Sequence, residues 1–91
     1  MSDSTTVSPA DIRDAAGVIK GRVRYTPVVP SGELGRLAGA RVLLKAENLQ
    51  RTGSFKIRGA FNMIARIGPE RLVHGVVAAS AGNHAQAVAF A

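Results

Sequence analysis

Val76-Val77-Ala78-Ala79-Ser80-Ala81-Gly82-Asn83-His84-Ala85-Gln86 decides how the rest of this 91-residue chain is read. Residues 75–79 form a short apolar run bounded by turn formers, which predicts a buried strand. Ser80-Ala81-Gly82 turns the chain, and an alanine-rich helix follows from Asn83. A strand that feeds a helix through a tight turn is the repeating unit of an α/β sheet. Upstream, Ser54 is expected to cap a helix whose Ile57, Ala60, Phe61 and Ile64 share one face, with Gly68-Pro69 as its stop. Residues 42–47 read as a second strand. Ser31 caps a short helix ending near Gly39, with Leu34 and Leu37 turned inward. Two prolines, Pro27 and Pro30, keep residues 24–30 extended. Ser8-Pro9-Ala10-Asp11 is a helix start, and Ile12, Ala15, Ala16 and Ile19 give that helix an apolar face up to a stop at Gly21.

Alternating helices and strands predict the α/β class, an open parallel sheet with crossover helices. Three short strands are few for such a sheet, because parallel sheets are covered on both faces. The sheet is therefore expected to be incomplete, the first part of a larger enzyme. Residues 1–8 are small and polar and read as a flexible leader.

Composition excludes several classes. Hydrophobic residues make up 46% and charged residues 20%, which argues against disorder throughout. No apolar run approaches the roughly 20 residues of a membrane span, and the first residues lack the pattern of a secretory signal. The reading is a cytoplasmic chain. Cysteine is absent and histidine occurs only at positions 74 and 84, so disulfides and a zinc cage are ruled out. The net charge of +6 raises a nucleic-acid reading. Against it, the basic residues are scattered and the aromatics are only Tyr25, Phe55, Phe61 and Phe90, a poor set of stacking platforms. A solvated basic surface or a phosphate-bearing ligand accounts for the charge as well.

Two constellations carry chemistry. In Thr52-Gly53-Ser54-Phe55-Lys56-Ile57-Arg58-Gly59-Ala60, Lys56 falls in the first turn of a helix, where the macrodipole disfavours a cation. Phe55 beside it would add desolvation, and both effects favour the neutral amine that attacks an aldehyde. The ordinary alternative is a surface lysine whose head reaches water. The second constellation is the quoted stretch itself. Its small-residue turn before a helix leaves backbone amides free for a carboxylate or phosphate. The ordinary alternative there is that Asn83 merely caps the helix and His84 lies on its surface.

Together, residues 45–60 (Lys45-Ala46-Glu47-Asn48-Leu49-Gln50-Arg51 leading into the first constellation) and residues 80–86 strongly resemble the threonine dehydratases, or threonine ammonia-lyases, of the catabolic type. These belong to the fold type II, tryptophan-synthase-β-like, enzymes that use pyridoxal 5'-phosphate. The resemblance implies that residues 9–47 begin the large domain and residues 48–91 begin the small cofactor-binding domain. It implies that Lys56 joins the cofactor covalently and acts as acid and base, that Phe55 packs beside the pyridine ring, and that Asn83 bonds the phenolic oxygen. Ser80, Ala81, Gly82, Asn83 and His84 would hold the substrate carboxylate. The implied reaction is β-elimination of L-threonine or L-serine to 2-oxobutanoate or pyruvate and ammonia.

Serine racemases share most of the motif but carry a serine where this chain has Ala81, which disfavours racemisation. Gln86-Ala87 departs from the usual Gln-Gly. The glycine-rich loop for the cofactor phosphate and the residue facing the pyridine nitrogen are not within these residues, so the 91-residue chain alone is expected to bind weakly and not turn over. The implied partner is a small amino acid, with neither nucleic acid nor membrane, and the family is commonly homo-oligomeric. Outside the resemblance stand a non-catalytic α/β interaction module and, less favoured, a basic nucleic-acid binder.

Overall fold

The computed structural model describes residues 6–91. Most of the expected leader, residues 1–5, lies outside the described residues. Its last member, Ser8, starts helix α1 (Pro9–Ile19). Ser8 Oγ accepts from the Asp11 N–H at 3.2 Å, and Asp11 returns the bond from the Ser8 N–H at 2.8 Å. This reciprocal capping box satisfies two otherwise orphaned donors, and the Ser8 N–H holds the Asp11 carboxyl below its ordinary range. Gly21, at φ 77°, turns the chain after the helix, as the sequence predicts.

Strand β1 (Val28–Pro30), helix α2 (Gly32–Ala38) and strand β2 (Leu43–Lys45) follow. Ser31 caps α2 by accepting from the Leu34 N–H at 3.2 Å, and Gly39 ends it in the left-handed region at φ 65°. The two strands pair, Val28 with Lys45, Val29 with Leu44 and Pro30 with Leu43, and the pairing is antiparallel. The parallel order expected from the alternation is thus corrected for this pair. Residues 31–42 are long enough for a crossover, but the left-handed Gly39 sends the chain straight back, so β2 returns alongside β1. Pro30 is tolerated because β1 is an edge strand.

A 3-10 turn (Glu47–Leu49) leads through a loop to α3 (Lys56–Ala65), the short α4 (Pro69–Leu72) and α5 (Asn83–Phe90). The strand expected at residues 75–79 is not formed. Neither β1 nor β2 lies beside it, and a strand needs a partner for its N–H and C=O groups. Among the described residues, Ile57 of α3 and Ala87 of α5 are the fully buried apolar side chains, and the two helices that carry them pack on each other. Helix α1 packs on α3 as well.

Other inward faces predicted from periodicity are open. Ile12 is 63% exposed and Leu37 79%, and Leu34 is exposed too. A radius of gyration of 16.3 Å explains why. A compact domain of this length would have about 12 Å, so the helices do not close over a common core. Three cation–π contacts supplement the packing, Arg22 over Phe61, Lys45 over Tyr25 and Arg51 over Phe90. Among the described residues no helix is long and apolar enough to cross a membrane.

Candidate functional site

Helix α3 begins at Lys56, with Phe55 as the flanking residue at φ −70°, ψ −13°. The expected cap at Ser54 is therefore displaced by one residue. Phe55 already has helical dihedrals, and Ser54 Oγ accepts only a long 3.5 Å bond from the Lys56 N–H. Lys56 occupies the first helical position, closer to the positive end of the macrodipole than the sequence implied. The enclosure expected from Phe55 is absent: its side chain is 63% exposed, and Lys56 is exposed as well. Among the described residues no hydrogen bond or ion pair engages Lys56 Nζ.

The second constellation starts α5. Gly82 flanks the helix, Asn83 is its first residue, and no side chain caps it. Asn83 is thus not the cap, and the first N–H groups of α5 stay open to a ligand. Within the turn, the Gly82 N–H donates to Ser80 Oγ at 3.1 Å, which takes one amide out of the expected set. Ser80, Ala81, Gly82, Asn83 and His84 are all exposed.

The packing of α3 on α5 opens a concavity of about 760 Å³. Phe55 and Lys56 reach it from the start of α3, Val76 and Val77 from the unpaired segment, and His84 and Val88 from α5. Both constellations therefore contribute to one space. Ser80, Ala81, Gly82 and Asn83 do not line it. Gly59 does, one turn along α3 from Lys56, and a methyl group built there would meet nothing within 4 Å. A glycine inside a helix costs about 1 kcal/mol relative to alanine, and no packing contact within the described residues requires it. Arg58 and Arg71 add positive charge to the lining, and no carboxylate lines it.

Behind the start of α3 lies a polar cluster. Glu47, in the 3-10 turn, accepts from both Arg58 of α3 and the hydroxyl of Thr26, with an Arg58 Nη2 to Glu47 Oε2 distance of 3.1 Å. Gln50 takes the Arg24 N–H at 2.7 Å and donates back to the Arg24 carbonyl at 3.0 Å. Thr26 and Gln50 are buried. The Arg58 guanidinium holds the Glu47 carboxyl down from 4.5 to about 2, against the opposing effect of its burial, and Glu47 in turn raises Arg58. Sequence reading missed this cluster, since the only signal was an acid and a base eleven positions apart. It also missed Arg71 and the valines as lining residues.

A sequence profile of the pyridoxal-phosphate dependent enzymes matches residues 19–91. The chain belongs to that family. Within it, the L-threonine ammonia-lyase of Thermotoga maritima is 53% identical over 81 residues, which cover 89% of this chain and 20% of that enzyme. The L-threo-3-hydroxyaspartate ammonia-lyase of a Pseudomonas species is 51% identical, covering 89% of this chain and 25% of that enzyme. The crystal structure of serine racemase from Dictyostelium discoideum superposes with a TM-score of 0.81 at 45% identity, covering 90% of this chain and 27% of that one. The chain thus spans between a fifth and a quarter of the length of these curated relatives. The α/β arrangement of this chain is the one found in these pyridoxal-phosphate enzymes, of fold type II.

The residues present fit the family's cofactor. Its aldehyde needs a lysine, its ring an apolar wall and its phosphate a positive surround. The concavity offers Lys56, Phe55 with Val76 and Val77, and the charge of Arg71, unpaired among the described residues, Arg58 being already paired with Glu47, and no carboxylate lines it to oppose an anion. Its volume lies within the roughly 300–1,000 Å³ of small-molecule sites.

Proposed function

We propose that Lys56 is the cofactor lysine of a pyridoxal-phosphate dependent ammonia-lyase that acts on L-threonine or L-serine. The observation that carries this reading is the convergence of Lys56 and His84, from two separate motifs, on one concavity. When bound, the cofactor supplies an electron sink for the pair of electrons released at the substrate Cα. Everything else falls to the chain. Lys56 Nζ would hold the cofactor and would move the Cα proton toward the departing β-hydroxyl. Phe55 would pack beside the ring, and Asn83, at the start of α5 just outside the concavity lining, would donate to its phenolic oxygen. The open amides at the start of α5, with Ser80, Ala81, Gly82 and His84 around them, hold the substrate carboxylate. Elimination then yields 2-oxobutanoate from threonine, or pyruvate from serine, and ammonia.

The relatives frame the choice of substrate, since their names include threonine, hydroxyaspartate and serine. Racemisation needs an acid–base group on the opposite face, and the methyl side chain of Ala81 cannot carry a proton. That favours elimination. The division of the chain into a large-domain part (residues 9–47) and a small-domain part (residues 48–91) belongs to the same proposal, and the Glu47–Arg58 pair and the α1–α3 packing cross it.

The test is spectroscopic. Pyridoxal phosphate added to the chain at low concentration is expected to give the absorbance band of a lysine adduct, and Lys56→Ala is expected to remove most of it, leaving only what Lys20 and Lys45 carry. The 91-residue chain is expected to release no 2-oxobutanoate from L-threonine above that control. A band undiminished in Lys56→Ala would overturn the assignment.

A further inference from the structure

We infer that Glu47 and Arg58 are positioning residues for Lys56: their ion pair fixes the first turn of α3 and thereby the direction of the amine. The inference rests on the reading of Lys56 as the cofactor lysine and goes beyond it.

Lys56 has nothing of its own to orient it. It stands at the first position of a helix that has no side-chain cap beyond a long bond from Ser54, and its exposed side chain touches no hydrogen-bonding partner among the described residues. Unrestrained, a lysine stem samples many rotamers, and a helix start is the part of a helix that frays. Arg58 lies two residues along, within the same first turn. Its guanidinium meets Glu47 through two nitrogens, Nε to one carboxylate oxygen and Nη2 to the other. A bidentate pair of this kind constrains orientation as well as distance.

The anchor behind Glu47 is rigid. The carboxylate also accepts from the buried Thr26 hydroxyl, and Gln50, held on both sides of Arg24, stands 3.5 Å from the same carboxylate. Thr26 in turn is tied to β2, because Lys45 Nζ donates to its carbonyl oxygen at 2.9 Å. A continuous polar chain therefore runs from the β1–β2 pair through Glu47 to the first turn of α3. Arg58 also lines the concavity that Lys56 enters, so the pair acts at the site. The other arginine there, Arg71, has no ion pair among the described residues.

The experiment measures where the cofactor attaches. The chain is incubated with pyridoxal phosphate, reduced with borohydride and digested, and the label is apportioned among Lys20, Lys45 and Lys56, its only lysines. Half-saturating cofactor concentration is read from the absorbance band, and helix content is followed by circular dichroism in each sample. In the unaltered chain the label is expected to concentrate on Lys56. Glu47→Gln and Arg58→Gln are expected to raise half-saturation by about tenfold, the loss typical of one charge-assisted bond, and to spread the label toward Lys45 and Lys20 with helix content kept. The exchanged pair, Glu47→Arg with Arg58→Glu, is expected to recover part of the selectivity that each single exchange loses.

The outcomes separate the two claims. Label absent from Lys56 in the unaltered chain overturns the reading of the lysine itself. Label on Lys56 that keeps its share and its half-saturation in both glutamine variants leaves that reading standing and overturns the positioning role. If a variant loses helix content, Arg58→Lys decides. That variant keeps the charge but lacks the two-pronged geometry, and retained selectivity in it contradicts the inference.

Discussion

The two halves of this chain treat their polar groups in opposite ways. Around Thr26, Glu47, Gln50 and Arg58 the side chains satisfy one another within the described residues, through bonds that span up to 26 positions in sequence. Around residues 75–84 no strand pairing forms, the valines are exposed along the concavity and the helix that follows has no side-chain cap. The first region is finished and the second is open. Lys56 sits at the boundary, its helix anchored on the finished side and its amine in the concavity on the open side. A reactive side chain needs both, since orientation comes from a supporting shell and chemistry from room for a ligand.

Breaking the open side at its centre gives the largest effect: Lys56→Ala is expected to remove most of the cofactor absorbance band and leave only what Lys20 and Lys45 carry. Next comes the buried side chain of α3. Ile57 is fully buried, and Ile57→Ala is expected to cost about 2–5 kcal/mol in urea or thermal unfolding. Because so little apolar surface is buried beside it, this single change is expected to separate α3 from α5 and weaken the cofactor band with it.

Acid sharpens the contrast from the finished side. Glu47 titrates near 2 in the folded chain, below its ordinary 4.5. A depressed folded value means stability that is fully present above the unfolded value and lost as pH falls. Unfolding monitored by circular dichroism should therefore grow easier between pH 4.5 and 2. Discounted for the solvent screening of a pair that is not fully buried, the linked contribution is on the order of 1 kcal/mol. Glu47→Gln should flatten this dependence and leave the chain less stable than the original at neutral pH. A pH profile unchanged by that substitution would show that Glu47 is not held by Arg58 in solution.

Smaller effects follow at the edges. Ser8→Ala removes a reciprocal cap and is expected to cost about 1 kcal/mol, read as fraying of α1 in amide exchange. Thr52 carries a buried hydroxyl oxygen without a partner among the described residues. Thr52→Val, nearly the same shape without that polar atom, is expected to be neutral or to stabilise by up to about 1 kcal/mol. A clear loss there would mean that the hydroxyl has a partner.

Local signals were legible in the sequence, and their physical basis is plain. Ser8-Pro9 and Ser31 cap helices because capping is decided within four residues, and Gly21 and Gly39 turn the chain because φ is positive there. The family was legible because the motifs at residues 45–60 and 80–86 are contiguous. What depends on partners was not. Strand orientation hinged on how Gly39 redirects the chain, residues 75–79 had no neighbour to pair with, and Leu34 and Leu37 had nothing to pack against. The Glu47–Arg58 pair joins positions eleven apart across a loop, a separation that no helical or strand period marks. Even the shift of the α3 start from Ser54 to Phe55 follows from a backbone angle that residue type does not dictate.

The most direct measurement uses the borohydride-reduced adduct and nuclear Overhauser contacts from its pyridine-ring protons. If the concavity between α3 and α5 receives the cofactor, those protons should lie near the Val88 methyl groups and the His84 ring, as well as Phe55. Contacts confined to Tyr25 and the β1–β2 pair, or none beyond the lysine stem itself, would contradict it.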